Sequence, residues 1–141
     1  MSERILEKID GREAGLKNPI VLAYVGDTVY DLYVRTALVK RTQLHVNELN
    51  HRAAGVVNAR AQALAAERLA EIFTEQEAEV FRRGRNAKVG SVPKNMEVAD
   101  YHKATGLEAV MGYLFLTGQQ ERMDELMEAV LEQFEEEMAR G

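Results

Sequence analysis

Two acids interrupt apolar, helix-like sequence: Asp27 has a glycine beside it, and Glu108 has glycines two residues before and four after. Asp27 lies in Ile20-Val21-Leu22-Ala23-Tyr24-Val25-Gly26-Asp27-Thr28-Val29-Tyr30, and Glu108 lies in Thr105-Gly106-Leu107-Glu108-Ala109-Val110-Met111-Gly112-Tyr113-Leu114-Phe115-Leu116. A carboxylate in such surroundings is costly unless a counter-charge, hydrogen bonds or a metal compensates it. Gly26 costs about 1 kcal/mol of helix propensity relative to Ala. Close helix packing, or room for a ligand beside the acid, would offset that. Gly112 follows Glu108 by one turn on the same face, so a second helix can approach closely there. Magnesium takes oxygen ligands and often uses one or two carboxylates together with phosphate and water. Two inward-facing acids from crossing helices suit such an ion, which can activate water and stabilise charge on a phosphate. Taken singly, each acid also fits a structural role: Asp27 paired with Arg52 or Arg60, Glu108 on a solvated edge. Asp31, one turn after Asp27, reads as a pairing or interface residue.

The second chemical feature is basic. Residues 82–96 hold Arg82, Arg83, Arg85, Lys88 and Lys94 and no acid, with Asn86 and Ser91 as further hydrogen-bonding groups. Arg and Lys reach phosphates, and glycines let the backbone approach a polyanion. Aromatic residues are absent, so base stacking on single strands is not expected. Backbone contact of this kind suits a duplex recognised by shape and 2′-hydroxyls. A solvated charged loop is the plainer reading of the same run. Arg52 and Arg60 are further candidates for a nucleic-acid surface or, equally, for a basic helix face.

These residues need helices to position them. Asn18 caps and Pro19 opens a helix expected to run to about Lys40. A second helical segment spans about Val46 to Ala70. Thr74 and Glu77 form a capping box for a short helix ending near Arg82. Gly84, Gly90, Ser91 and Pro93 break the helical period, so 82–96 is expected to be a loop. Helix resumes near Val98, stops at Thr117-Gly118, and is followed by an acidic helix over 119–139, expected to face solvent. Met123, Met127 and Met138 are spaced for packing, and the five tyrosines read as core or interface residues. No alternating strand pattern of useful length occurs. The fold class expected is all-α, as a single domain over 1–141.

Composition narrows the function classes. With 141 residues, 46% of them hydrophobic, the chain can bury a core as one domain. It has no cysteine, which excludes a disulfide framework and a thiolate zinc site. His45, His51 and His102 lack metal-ligand spacing. The net charge of −5 argues at first against a polyanionic partner, but residues 119–141 alone carry −6, leaving +1 for the first 118. Local patches decide docking. No stretch is long and apolar enough to span a membrane, and Met1-Ser2-Glu3-Arg4 opens no apolar leader, so a cytoplasmic protein is expected.

The two acidic segments resemble a known family. Leu22-Ala23-Tyr24-Val25-Gly26-Asp27-Thr28-Val29-Tyr30-Asp31 is similar to the signature helix of the ribonuclease III catalytic domain, and Thr105–Gly112 to its second acidic motif. Arg83-Gly84-Arg85-Asn86-Ala87-Lys88, followed by Pro93-Lys94-Asn95, looks like the compact Mini-ribonuclease III subgroup. The resemblance spans about residues 16–134. It implies the α-helical endonuclease fold and a homodimer with duplex RNA lying across it. It also implies magnesium-assisted phosphodiester hydrolysis, leaving 5′-phosphate and 3′-hydroxyl ends. Asp27 and Glu108 match the family's catalytic acids. The compact subgroup lacks an appended double-stranded-RNA-binding domain, and its implied task is maturation of large-subunit ribosomal RNA precursors.

The chain departs from the wider family at three positions. Ile20 and Ala23 stand where glutamates are usual, and Thr105 where an aspartate is usual. Fewer carboxylates imply weaker metal binding and put a two-metal site in question. Two other readings stay open: an RNA-binding scaffold of the same fold without the chemistry, and an all-α protein-interaction module built around the acidic helix.

Overall fold

The computed structural model describes residues 4–88 and 90–139. Met1–Glu3 at the expected leader-free start, Val89 in the basic run and Arg140 in the acidic end lie outside them. The described residues form eight helices and no strand, as the all-α reading expects.

The centre of the molecule is α6 (Val98–Leu116), with ten buried residues between Ala104 and Leu114. It is apolar on nearly every side because α2 (Pro19–Arg41), α4 (Ala59–Leu69) and α5 (Glu75–Asn86) all pack around it. A short α1 (Gly11–Gly15) and the α7 helix (Gln120–Gln133) complete the enclosure.

Local chemistry explains most boundaries. Pro19 occupies the first turn of α2, and the Asn18 side chain accepts from the Ile20 N–H at 2.8 Å. At α5, Glu77 N–H donates to Thr74 Oγ1 at 3.1 Å and Thr74 N–H donates to Glu77 Oε1 at 2.9 Å, the expected capping box. Gly118, at φ 70°, closes α6 where Thr117-Gly118 signalled a stop.

Three expectations need correction. The segment 46–70 is two helices, α3 (Val46–Ala54) and α4, because Asn58 starts a new helix. Its Oδ1 accepts from the Ala61 N–H at 2.9 Å, while its Nδ2 donates to the Ala54 carbonyl at 2.8 Å. Helix α5 does not stop at Arg82 but continues to Asn86, so Arg82, Arg83, Arg85 and Asn86 are helical. Gly84, a loop signal by residue type, serves close packing instead, since a Cβ there would stand 3.0 Å from both Ala109 Cβ and Gly106 Cα of α6. The acidic C-terminal segment is α7 and α8 (Glu135–Met138), and it does not simply face solvent. Met123, Leu126, Met127, Val130 and Leu131 bury one face of α7, with the acids on the other.

Candidate active site

Asp27 and Glu108 meet where α2 crosses α6. The crossing is close because glycine faces backbone on both sides. A Cβ on Gly26 would stand 1.6 Å from the Glu108 carbonyl oxygen, and a Cβ on Gly112 would stand 1.9 Å from the Leu22 carbonyl oxygen. The unfavourable propensity of Gly26 is thereby offset by contact between helix backbones. Asp27, the next residue, is carried to the side of Glu108.

Neither acid is sealed in the core. Asp27 is exposed and Glu108 half-buried, which corrects the expectation of two carboxylates in wholly apolar surroundings. Burial, and then the negative charge of Asp27, push the Glu108 carboxyl up to about 8. Gln62 on α4 opposes that shift by donating from Nε2 to Glu108 Oε2 at 3.1 Å. The Tyr30 phenol is pushed up by burial and by the nearby Glu108 charge, and its hydroxyl donates to the Val56 carbonyl at 3.0 Å. Two neighbouring carboxyl groups, offering only oxygen atoms, form a donor set that fits a hard divalent cation.

The alternative partners considered for Asp27 are engaged elsewhere. Arg52 Nε pairs with Glu48 at 3.0 Å, and Arg60 pairs with Asp100 at 3.3 Å. Asp31 pairs with Arg35 on its own helix at 2.8 Å. No third His, Asp or Glu joins Asp27 and Glu108 in a metal-binding cluster among the described residues. Thr105 adds nothing to the pair's face: it is buried, and its hydroxyl donates to the Tyr101 carbonyl at 2.9 Å. Ala23 is buried and Ile20 half-buried, as helix-packing residues.

The basic run divides by environment. Arg85, Asn86, Lys88 and Lys94 are exposed, and no described carboxylate pairs with the three cations among them. Arg85 lies over the Phe81 ring, 5.6 Å from its centroid. Arg82 is exposed but pairs with Glu79 at 2.7 Å. Arg83 is turned inward and donates to the Gly15 and Lys17 carbonyls at 2.6 and 3.1 Å, tying α5 to the segment that leads into α2.

Gln62 is the site residue that sequence reasoning missed. A polar residue at a buried position of an Ala-rich helix was the available signal, since it must find a hydrogen-bond partner. That partner lies 46 residues away.

A family model of the ribonuclease III domain matches residues 20–119. The chain is 42% identical to a Mini-ribonuclease 3 of Thermoanaerobacter sp. over 119 residues, covering 84% of each chain. It is 46% identical to the Mini-ribonuclease 3 of Enterococcus faecalis over 112 residues, covering 78% of this chain and 85% of that one. A crystal structure of a protein from Fusobacterium nucleatum superposes with a TM-score of 0.76 at 25% identity, covering 83% of this chain and 93% of the other.

Proposed function

The chain belongs to the ribonuclease III family, in its compact Mini-ribonuclease 3 group, and we propose that it is a magnesium-dependent endoribonuclease in which Asp27 and Glu108 hold the metal. The observation that carries this reading is the convergence of these two carboxylates from α2 and α6, with Glu108 pushed up by burial and by Asp27. A divalent cation bound there would supply positive charge against a phosphate and acidify water. Asp27 and Glu108 orient the reacting groups. In the reaction, a water oxygen bonds to phosphorus and the bond to the 3′ oxygen breaks, leaving a 3′-hydroxyl and a 5′-phosphate.

Double-stranded RNA is the substrate that the exposed cations suit. Arg85, Lys88 and Lys94 are exposed without a carboxylate partner among the described residues, and Asn86 adds a hydrogen-bonding group, so phosphates can be gripped without reading bases. Arg82, Arg52 and Arg60 carry exposed or partly exposed pairs that a phosphate can compete for. Arg83 acts differently, holding α5 in place.

A second copy of the chain is the partner that α2 suits. Val21, Tyr24, Leu32 and Val39 are 50%, 82%, 60% and 64% exposed, and they recur at helical spacing along one side of the helix. Pairing of two such faces would set two acidic sites on one duplex. We assign the chain to the cytoplasm, as a single catalytic domain over 1–141 acting on precursors of large-subunit ribosomal RNA, on the strength of its likeness to the compact group. No helix among the described residues is long and apolar enough to cross a membrane.

The test is cleavage of a perfect RNA duplex and of a precursor carrying the large-subunit RNA ends, with and without magnesium. Discrete cuts that need the metal support the reading. Duplex binding without cleavage would leave a scaffold, and no RNA binding at low salt would leave a protein-interaction module.

A further inference from the structure

We infer that Gln62 is a positioning residue for the acidic pair, fixing the Glu108 carboxylate in the orientation that receives a divalent cation. The inference rests on the reading of Asp27 and Glu108 as metal ligands.

Gln62 is 4% exposed, and its neighbours Ala61, Ala63, Ala65 and Ala66 are buried with it. A buried amide without partners is costly, so its orientation is set by what it can bond. Its Nε2 donates to Glu108 Oε2 at 3.1 Å across the α4–α6 contact. Among the described residues no other side chain donates a hydrogen bond to Glu108, and Asp27 lies beside it. Without Gln62, no donor among the described side chains would fix the rotation of that carboxyl group. The amide fixes that rotation by occupying Oε2. A lysine or arginine would neutralise the pair and displace the cation; glutamine orients without adding charge. The wider rule is that groups bonded to metal-binding carboxylates fix their geometry.

The experiment compares wild type, Gln62→Leu, Gln62→Met and Asp27→Asn. Four quantities are measured: manganese affinity by calorimetry without RNA, the magnesium concentration for half-maximal cleavage, duplex affinity in EDTA, and thermal midpoint. The expected result for Gln62→Leu and Gln62→Met is an unchanged duplex affinity, with manganese affinity weakened about tenfold or more and the magnesium requirement raised in step. Gln62→Met keeps a flexible unbranched side chain of similar length, so it carries the comparison if Gln62→Leu loses the folded transition. If both variants keep wild-type manganese affinity and magnesium requirement while Asp27→Asn loses them, the role of Gln62 is overturned and the metal site stands. If Asp27→Asn also binds and cleaves like wild type, the metal reading itself fails.

Discussion

The backbone at Gly26 touches the backbone at Glu108: a Cβ on residue 26 would stand 1.6 Å from the Glu108 carbonyl oxygen. This contact sets the depth at which α2 crosses α6, and therefore the separation of the two acids. Position and chemistry are thus tied to one absent methyl group.

Gly26→Ala should therefore destabilise the protein, although alanine is the better helix former by about 1 kcal/mol. Overpacking against backbone costs about 1–3 kcal/mol or more, and what remains folded should have the acids shifted apart. Urea denaturation and cleavage rate measure the two effects. Gly90→Ala is the control, because among the described residues nothing beyond its chain neighbours lies within 4 Å of a Cβ there. Equal stability of the two variants would contradict the packing account.

Asp27→Asn should abolish cleavage while leaving the fold intact, because Asp27 is exposed and no described residue forms an ion pair with it. Its thermal midpoint in EDTA should match wild type at neutral pH, where Glu108 is largely protonated, and exceed it above about pH 8, where the two charges would repel. Near-normal cleavage in magnesium would reject the assignment.

The metal should stabilise the folded chain more at alkaline than at acid pH. With Glu108 pushed up to about 8, most of it holds a proton at neutral pH, and binding a cation requires that proton to leave. Magnesium should raise the thermal midpoint little at pH 6 and clearly at pH 8.5, and chelation should reverse the gain. A shift independent of pH, or one that survives Asp27→Asn with Glu108→Gln, would count against the pair as ligands.

The basic run should show two kinds of phenotype. Neutralising Arg85, Lys88 and Lys94 together should weaken duplex binding and flatten its salt dependence by about one unit for each phosphate no longer neutralised, with stability lowered by no more than the exposed Arg85–Phe81 contact, about 0.5–1 kcal/mol. Arg83→Gln should lower stability, because the Gly15 and Lys17 carbonyls lose their donor. Fluorescence titration across a salt series and denaturation curves separate the two. Identical behaviour of both variants would show that the division is wrong.

Acid stability should depend on Glu77. Its side chain is 4% exposed and pairs with Arg122 at 2.9 Å. Burial alone would raise its carboxyl, but hydrogen bonds from Arg122 and Thr74 outweigh this and hold it below its usual 4.5. The unfolded chain therefore takes up a proton at this carboxyl before the folded chain does. The contribution is complete at neutral pH, declines below about the ordinary glutamate value, and is lost once the pH falls through the folded-state value. Between pH 6 and 3 the midpoint of wild type should fall more steeply than that of Glu77→Gln. Parallel curves would sink this prediction.

Much of this molecule is legible in its sequence because the signals are local. Asn18-Pro19, Thr74 with Glu77, and Thr117-Gly118 act on backbone groups within one turn, so the ends they mark are where the structure has them. The two acids and their glycines are likewise readable, as violations of an apolar pattern. Tertiary structure alone decided the rest. Whether Gly84 breaks a helix or packs it depends on Ala109 and Gly106 lying opposite. Whether an arginine is free for phosphate or spent on a carbonyl or a carboxylate depends on partners far along the chain: Arg83 reaches the Gly15 and Lys17 carbonyls, and Arg60 reaches the Asp100 carboxylate. Gln62 gained its meaning only when α4 was laid against α6. Periodicity and capping report what a residue does to its own turn; a side chain's partner across the core is set by how helices pack, which no local pattern encodes.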